Sequence, residues 1–165
     1  MATQLATHIV GFQLNGRPHA VTVAPLTTLR TALREELHLH ATKAGCGQGG
    51  CGSCTVLLDN ELVLSCLVPV TLVDGRSVTT LEGIGRPGRL HPLQEAFHDH
   101  FAAQCGYCTA GMIMAAKWLL DRNPNPTRAQ IQTALAGNLC RCTGYLPIIE
   151  AIEDAAQRMS KGERR

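Results

Sequence analysis

The chain has 165 residues, with 15 lysines and arginines against 13 aspartates and glutamates, a formal net charge of +2. Apart from the terminal KGERR it has no basic run, which excludes the electrostatic footprint of a nucleic-acid binder. No stretch of 18 apolar residues occurs, so no transmembrane helix is expected.

The N-terminal MATQLATHIVGF lacks a basic n-region, a long apolar run and a twin arginine, so no secretion signal is read. A cytoplasmic location is expected, and export with a signal-bearing partner is compatible with the same sequence. In a reducing compartment, eight cysteines point to metal ligation before disulfides.

The first 80 residues read mostly as strands. HIVGFQL alternates, Asn15-Gly16 signals a tight hairpin, and AVTV resumes the strand. Leu29, Leu33 and Leu37 then recur at helical spacing, with Thr27 or Thr28 as N-cap. After a cysteine-rich loop come TVLLD and ELVLSCLV, joined at Asp59-Asn60, and a short strand near RSVTT. The order β-β-α-loop-β-β-β predicts a small mixed sheet packed on one helix.

The remainder reads as helices. Pro92 sits at a first helical position, with Leu93, Ala96, Phe97 and Phe101 on one face. A second helix is predicted from about Thr109 to Asp121, ending before Asn123-Pro124. Thr127 with Gln130 forms a capping box for a third, carrying Ile131 and Leu135. Pro147 opens a fourth, with Ile148, Ile152, Ala155 and Met159 inward. EGIGRPG at 82–88 marks the joint, giving an expected α+β chain with domains at 1–82 and 83–165.

Residues 45–55, GCGQGGCGSCT, place Cys46, Cys51 and Cys54 among five glycines, and Cys66 follows from a predicted strand. This C-x4-C-x2-C…C spacing is that of a plant-type 2Fe–2S cluster. Such a cluster is anionic and accepts hydrogen bonds from backbone amides. A loop aims several amides inward only through turns that glycine enters without strain. Structural zinc favours two short C-x2–4-C knuckles, not three clustered ligands plus one. A Rieske centre needs two histidines near the cysteines, and no C-x-H occurs. The G-x-G-x-x-G match at Gly45, Gly47 and Gly50 follows a helix and precedes a strand, the reverse of the dinucleotide-binding context.

The second set is Cys105, Cys108, Cys140 and Cys142, a C-x2-C and a C-x-C separated by 31 residues. Cys105 and Cys108 lie at the start of the second helix, whose N-terminal dipole favours thiolates. Spacing alone admits zinc, but the C-x-C half is unusual for a zinc knuckle and favours iron–sulfur.

Together GCGQGGCGSCTV, QCGYCTAGM at 104–112 and NLCRCTGY at 138–145 resemble the iron–sulfur subunit of the xanthine dehydrogenase family of molybdenum hydroxylases. All eight cysteines match in spacing, and LEGIGRPGRLHPLQEAF at 81–97 fits the family's linker and following helix. The small separate subunits found in N-heterocycle, aldehyde or carbon monoxide dehydrogenases look most similar. The resemblance implies an N-terminal β-grasp ferredoxin domain and a C-terminal four-helix bundle, each with one 2Fe–2S cluster. It further implies a large partner subunit with molybdenum on a pterin dinucleotide. Electrons would pass to the helical-domain cluster, then to the ferredoxin-domain cluster, then to an FAD subunit, a c-type cytochrome or another acceptor. Gln104 and Cys142 match the family residues that approach the partner's pterin. Ala110 replaces the family's proline at the start of a helix, which touches no ligand.

No other residues form a substrate-converting site. The seven histidines pair with no serine or cysteine in a nucleophile motif and read as surface or helix-end residues. Met112, Met114 and Trp118 read as core or partner contacts. Three functions compete: an electron-transfer subunit, a free-standing two-cluster carrier, and a zinc-stabilised interaction module. In the first, the ferredoxin-domain cluster is expected to be the more exposed and the helical-domain cluster to be covered by the partner.

Overall fold

The fold is that of a computed structural model, which describes residues 7–162. Strands β1 (His8–Leu14) and β2 (Arg17–Val23) pair antiparallel around Asn15-Gly16. Both turn residues have positive φ, +52° and +78°, so the hairpin twist matches that of the strands. Val10, Phe12 and Leu14 alternate inward along β1, and Val21 and Val23 along β2. Helix α1 (Leu29–Thr31) starts at Thr28, whose hydroxyl accepts the Thr31 amide at 3.2 Å. The chain then widens into a π-type turn over Ala32–Glu36. Leu29 and Leu33 are fully buried, as their spacing predicts.

Strands β3 (Thr55–Leu58) and β4 (Glu61–Leu64) form the second hairpin around Asp59-Asn60, again with both φ values positive. A 3-10 turn at Val70–Val73 leads to β5 (Ser77–Thr79). The sheet order is β2-β1-β5-β3-β4, with β1 and β5 parallel and the other pairs antiparallel. This is the mixed sheet of a β-grasp domain.

The joint contains one helical turn, α2 (Leu81–Ile84), where the sequence reads only as a glycine- and proline-rich connection. The bundle follows: α3 (Pro92–Asp99), α4 (Thr109–Arg122), α5 (Arg128–Leu135) and α6 (Leu146–Ser160). Pro92 occupies the first turn of α3, and His91 caps it: its Nδ1 accepts the Leu93 amide while Gln94 Oε1 accepts the His91 amide. The Thr127–Gln130 capping box forms as read. Phe101 departs from its expected place on the inner face of α3. The helix ends at Asp99, Phe101 turns out at φ +51° and is 82% exposed, and Ala102 takes the buried position.

Two cores result. One lies between the sheet and α1, around Phe12, Leu29, Leu33, Val56 and Val78. The other lies inside the bundle, around Phe97, Met112, Ile131, Ile148 and Ile152. Helix α4 belongs to both surfaces. It packs on α3 and α5 and also on β3 and β4, so it is apolar around most of its circumference. All four residues of β3 are buried for the same reason. At one end of this contact Trp118 donates its indole N–H to Glu61, and Arg122 stacks on the Trp118 ring while bonding the Asn60 carbonyl. At the other end Gly111 of α4 lies against the Gly52 carbonyl so closely that a Cβ would collide with it.

Gly111→Ala is therefore expected to push the domains apart and cost about 1–3 kcal/mol, the usual range for overpacking. A thermal unfolding scan of the purified chain measures it. Gly137→Ala is the control, because a Cβ there meets nothing within 4 Å.

Candidate metal centres

The first cysteine loop leaves β-grasp geometry after Thr42 and returns at β3. Cys46 is exposed, Cys51 half-buried, and Cys54 and Cys66 buried. Cys66 lies two residues past the end of β4, on the turn rather than on the strand the sequence predicts. The loop amides do reach sulfur: Gly50 N donates to Cys46 Sγ at 3.2 Å and Gln48 N at 3.5 Å. These bonds, the Gln48 amide foremost and the Cys51 thiol next, lower the Cys46 thiol to about 7. Gly45 must lack a side chain, since a Cβ would stand 2.7 Å from Cys51 Sγ. Deeper in, the Cys54 and Cys66 thiols face each other, and burial pushes Cys54 up. Ser65 fixes that pair by donating its hydroxyl to the Cys54 carbonyl at 2.7 Å, while the Arg30 amide holds the Ser65 carbonyl.

The second site joins the entry to α4 and the loop after α5. Cys108 is the residue before α4, and Cys142 Sγ lies 3.6 Å from Cys105 Sγ. Cys108 faces Cys140, and burial first, then that neighbour, pushes its thiol up to about 12. Burial also acts on Cys140, but the Thr143 hydroxyl at 3.1 Å and the amides of Thr143 and Cys142 outweigh it and lower that thiol. Contact with Cys105 raises Cys142. Tyr145, in the left-handed region at φ +69°, accepts the Cys140 amide on its hydroxyl at 2.9 Å and donates to the Asn138 carbonyl. Gln104 is exposed beside the exposed pair Cys105 and Cys142.

The eight thiols thus come as four pairs: 46 with 51, 54 with 66, 105 with 142, and 108 with 140. Among the described residues no three His, Cys, Asp or Glu side chains converge as ligands of a single ion. Tetrahedral zinc needs four donors about one point. A 2Fe–2S cluster needs two thiolates on each of two irons, and the pairs fit that requirement at both sites.

The two sites touch. Leu139 N donates to the Cys51 carbonyl at 3.0 Å, Asn138 Nδ2 to the Gly52 carbonyl at 3.0 Å, and the Tyr107 hydroxyl to the Ala44 carbonyl at 3.0 Å. A Cβ on Gly52, which has φ +69°, would meet the Gly137 carbonyl. Sequence reading missed Asn138, Tyr107, Thr143 and Tyr145. Their signal was faint: polar or aromatic residues a few positions from a cysteine. In the chain without its partner the helical-domain cysteines are the more open set, since Cys105 and Cys142 are exposed while only Cys46 is exposed in the other; the expectation that a partner covers the helical site concerns the complex.

Residues 12–75 match a family described as 2Fe-2S iron-sulfur cluster binding domain, and residues 80–153 one described as [2Fe-2S] binding domain. A nicotinate dehydrogenase subunit from Pseudomonas putida is 47% identical over 152 residues, covering 92% of this chain and 97% of that protein. This chain belongs to the iron–sulfur subunits of the xanthine dehydrogenase family. The nicotine 6-hydroxylase small subunit of Paenarthrobacter nicotinovorans is 49% identical over 146 residues, 88% of each chain. Among solved structures, a chain of quinoline 2-oxidoreductase from Pseudomonas putida 86 superposes with a TM-score of 0.91 at 43% identity, covering 95% of this chain and 98% of its own. As a member of this family the chain is an electron-transfer subunit of a molybdenum hydroxylase, with two 2Fe–2S domains.

In the metal-free chain the thiols are expected to alkylate in a set order. Near neutral pH Cys46, at about 7, is half thiolate and exposed, whereas Cys108, at about 12, stays protonated. Iodoacetamide labelling read by mass spectrometry tests this. Cys46 should label first, with its rate rising through pH 6–8 on the flank of its pKa of about 7, and Cys108 last.

Proposed function

We propose that Cys46, Cys51, Cys54 and Cys66 hold one 2Fe–2S cluster and that Cys105, Cys108, Cys140 and Cys142 hold the second. The hydrogen bond from the Leu139 amide to the Cys51 carbonyl carries this reading. It joins a residue of the first ligand set to the neighbour of Cys140 in the second, so the two sites form one short bonded path. The clusters supply one-electron chemistry, which divides a two-electron substrate oxidation into single steps. This chain's residues supply the rest. The amides of Gln48 and Gly50 and the hydroxyl of Thr143 stabilise sulfur charge, and the Cys54/Cys66 side is shielded from water.

In this proposal the domains divide at 82/83, and the edge bearing Gln104 and Cys142 faces a large subunit with the molybdenum pterin. Open thiols on that edge and exposed apolar residues nearby in sequence, Phe101, Tyr107, Leu139 and Leu146, support a docked partner over a free-standing carrier. The Cys46 edge delivers electrons to an acceptor, an FAD-binding subunit or a c-type cytochrome. The named relatives act on nicotinate, nicotine and quinoline, and by analogy the partner oxidises an aromatic N-heterocycle. No helix among the described residues is long and apolar enough to cross a membrane, and we place the complex in the cytoplasm.

Metal analysis of the chain purified with its native partners tests the core of this. About four iron and four acid-labile sulfide per chain are expected, with molybdenum present and zinc absent. About two iron with one zinc would make the helical site structural and break the route. Cys66→Ser and Cys140→Ser should each remove one of two EPR signals and leave the other. Leu139→Pro, which removes the donor N–H, should keep both signals but slow electron exchange between the sites in rapid-mixing experiments.

A further inference from the structure

Thr109 carries a buried hydroxyl with no hydrogen-bond partner, the one such side-chain atom among the described residues. It is the first residue of α4 and directly follows Cys108. Its backbone amide is already used, donating to the Gly106 carbonyl, so the hydroxyl alone is idle. A helical threonine usually bonds back to a carbonyl of the preceding turn; this one does not. The polar side chains around the helical-domain cysteines are taken as well. Thr143 Oγ1 pairs with Cys140 Sγ, the Tyr145 hydroxyl lies between the Cys140 amide and the Asn138 carbonyl, and Asn138 Nδ2 serves the Gly52 carbonyl. A buried donor left unmade is costly, and a valine would fill the same volume without that cost.

We propose that the Thr109 hydroxyl donates to an inorganic sulfide of the helical-domain cluster, and so sets that cluster's potential. This rests on the two-cluster reading above. One-electron reduction adds one negative charge to the cluster, and a hydroxyl donor aimed at sulfur stabilises the more negative state. Together with Thr143 on Cys140, it would give the inner side of the site two hydroxyl donors, one on a thiol and one on sulfide, while the outer pair, Cys105 and Cys142, has none among the described residues. Thr109 acts here as a tuning residue: it holds no iron.

The test is an EPR-monitored redox titration of the whole complex carrying T109V or T109S, with the helical-domain signal identified as the one lost in Cys140→Ser. T109V should lower the midpoint of that cluster and leave the other unmoved, while T109S, which keeps the hydroxyl, should titrate as the parent does. Proton ENDOR in H2O and D2O should show an exchangeable coupling in the parent and T109S that T109V lacks. An unmoved midpoint in T109V with full iron, or a T109S shift as large as that of T109V, overturns the proposal. If T109V fails to load iron, T109A replaces it under the same criteria. Zinc in the helical site of the parent complex would instead overturn the cluster reading itself.

Discussion

The structure depends on a contact between backbones. The Gly52 carbonyl, in the middle of the first cysteine loop, is pressed between Gly111 of α4 and the Asn138 side chain. Neither glycine interposes a side chain, so the two ligand loops approach as closely as main chains can. The Leu139–Cys51 hydrogen bond forms only because of that approach. Asn138 is buried and its Nδ2 donates to both the Gly52 carbonyl and the Thr55 hydroxyl, so the contact has a fixed register as well as a fixed distance. Communication between the sites follows from this geometry.

Much of the fold is legible in the sequence because its signals are local. Asn15-Gly16 and Asp59-Asn60 announce left-handed turns, Thr127 with Gln130 announces a helix start, and the leucines of α1 announce a buried stripe. The cysteine spacing is legible for the same reason, since two close ligands on one loop are set by a few dihedral angles. What stays hidden is set by tertiary contact. Phe101 continues the helical period of α3 on paper, yet the chain must turn at His100 to bring Cys105 toward Cys142, and the aromatic ring is thrown outward. Asn138 and Tyr145 look like ordinary loop residues until a second loop is placed against them. The pairing of thiols across segments, 54 with 66 and 105 with 142, likewise requires the fold.

The two sites solve the same electrostatic problem with different means. Four thiolates and two sulfides concentrate negative charge, which must be offset without free cations crowding the site. The first loop offsets it with main-chain amides, those of Gln48 and Gly50 on Cys46. The second uses the amides of Thr143 and Cys142 as well, and adds hydroxyls, from Thr143 and, in our proposal, Thr109. Amides fixed in a loop are hard to alter by substitution, whereas a hydroxyl is lost in one step. The helical site is therefore the one whose properties sequence change can adjust most readily.

The double burial of β3 has a consequence for how this chain relates to simple ferredoxins. A strand covered on one side by its own sheet core and on the other by α4 has no face designed for water. Cut away from the bundle, the first half would present Thr55 and Leu57 and their surroundings as a bare apolar strip beside an edge hairpin, an invitation to self-association. The ferredoxin half is therefore not a portable module.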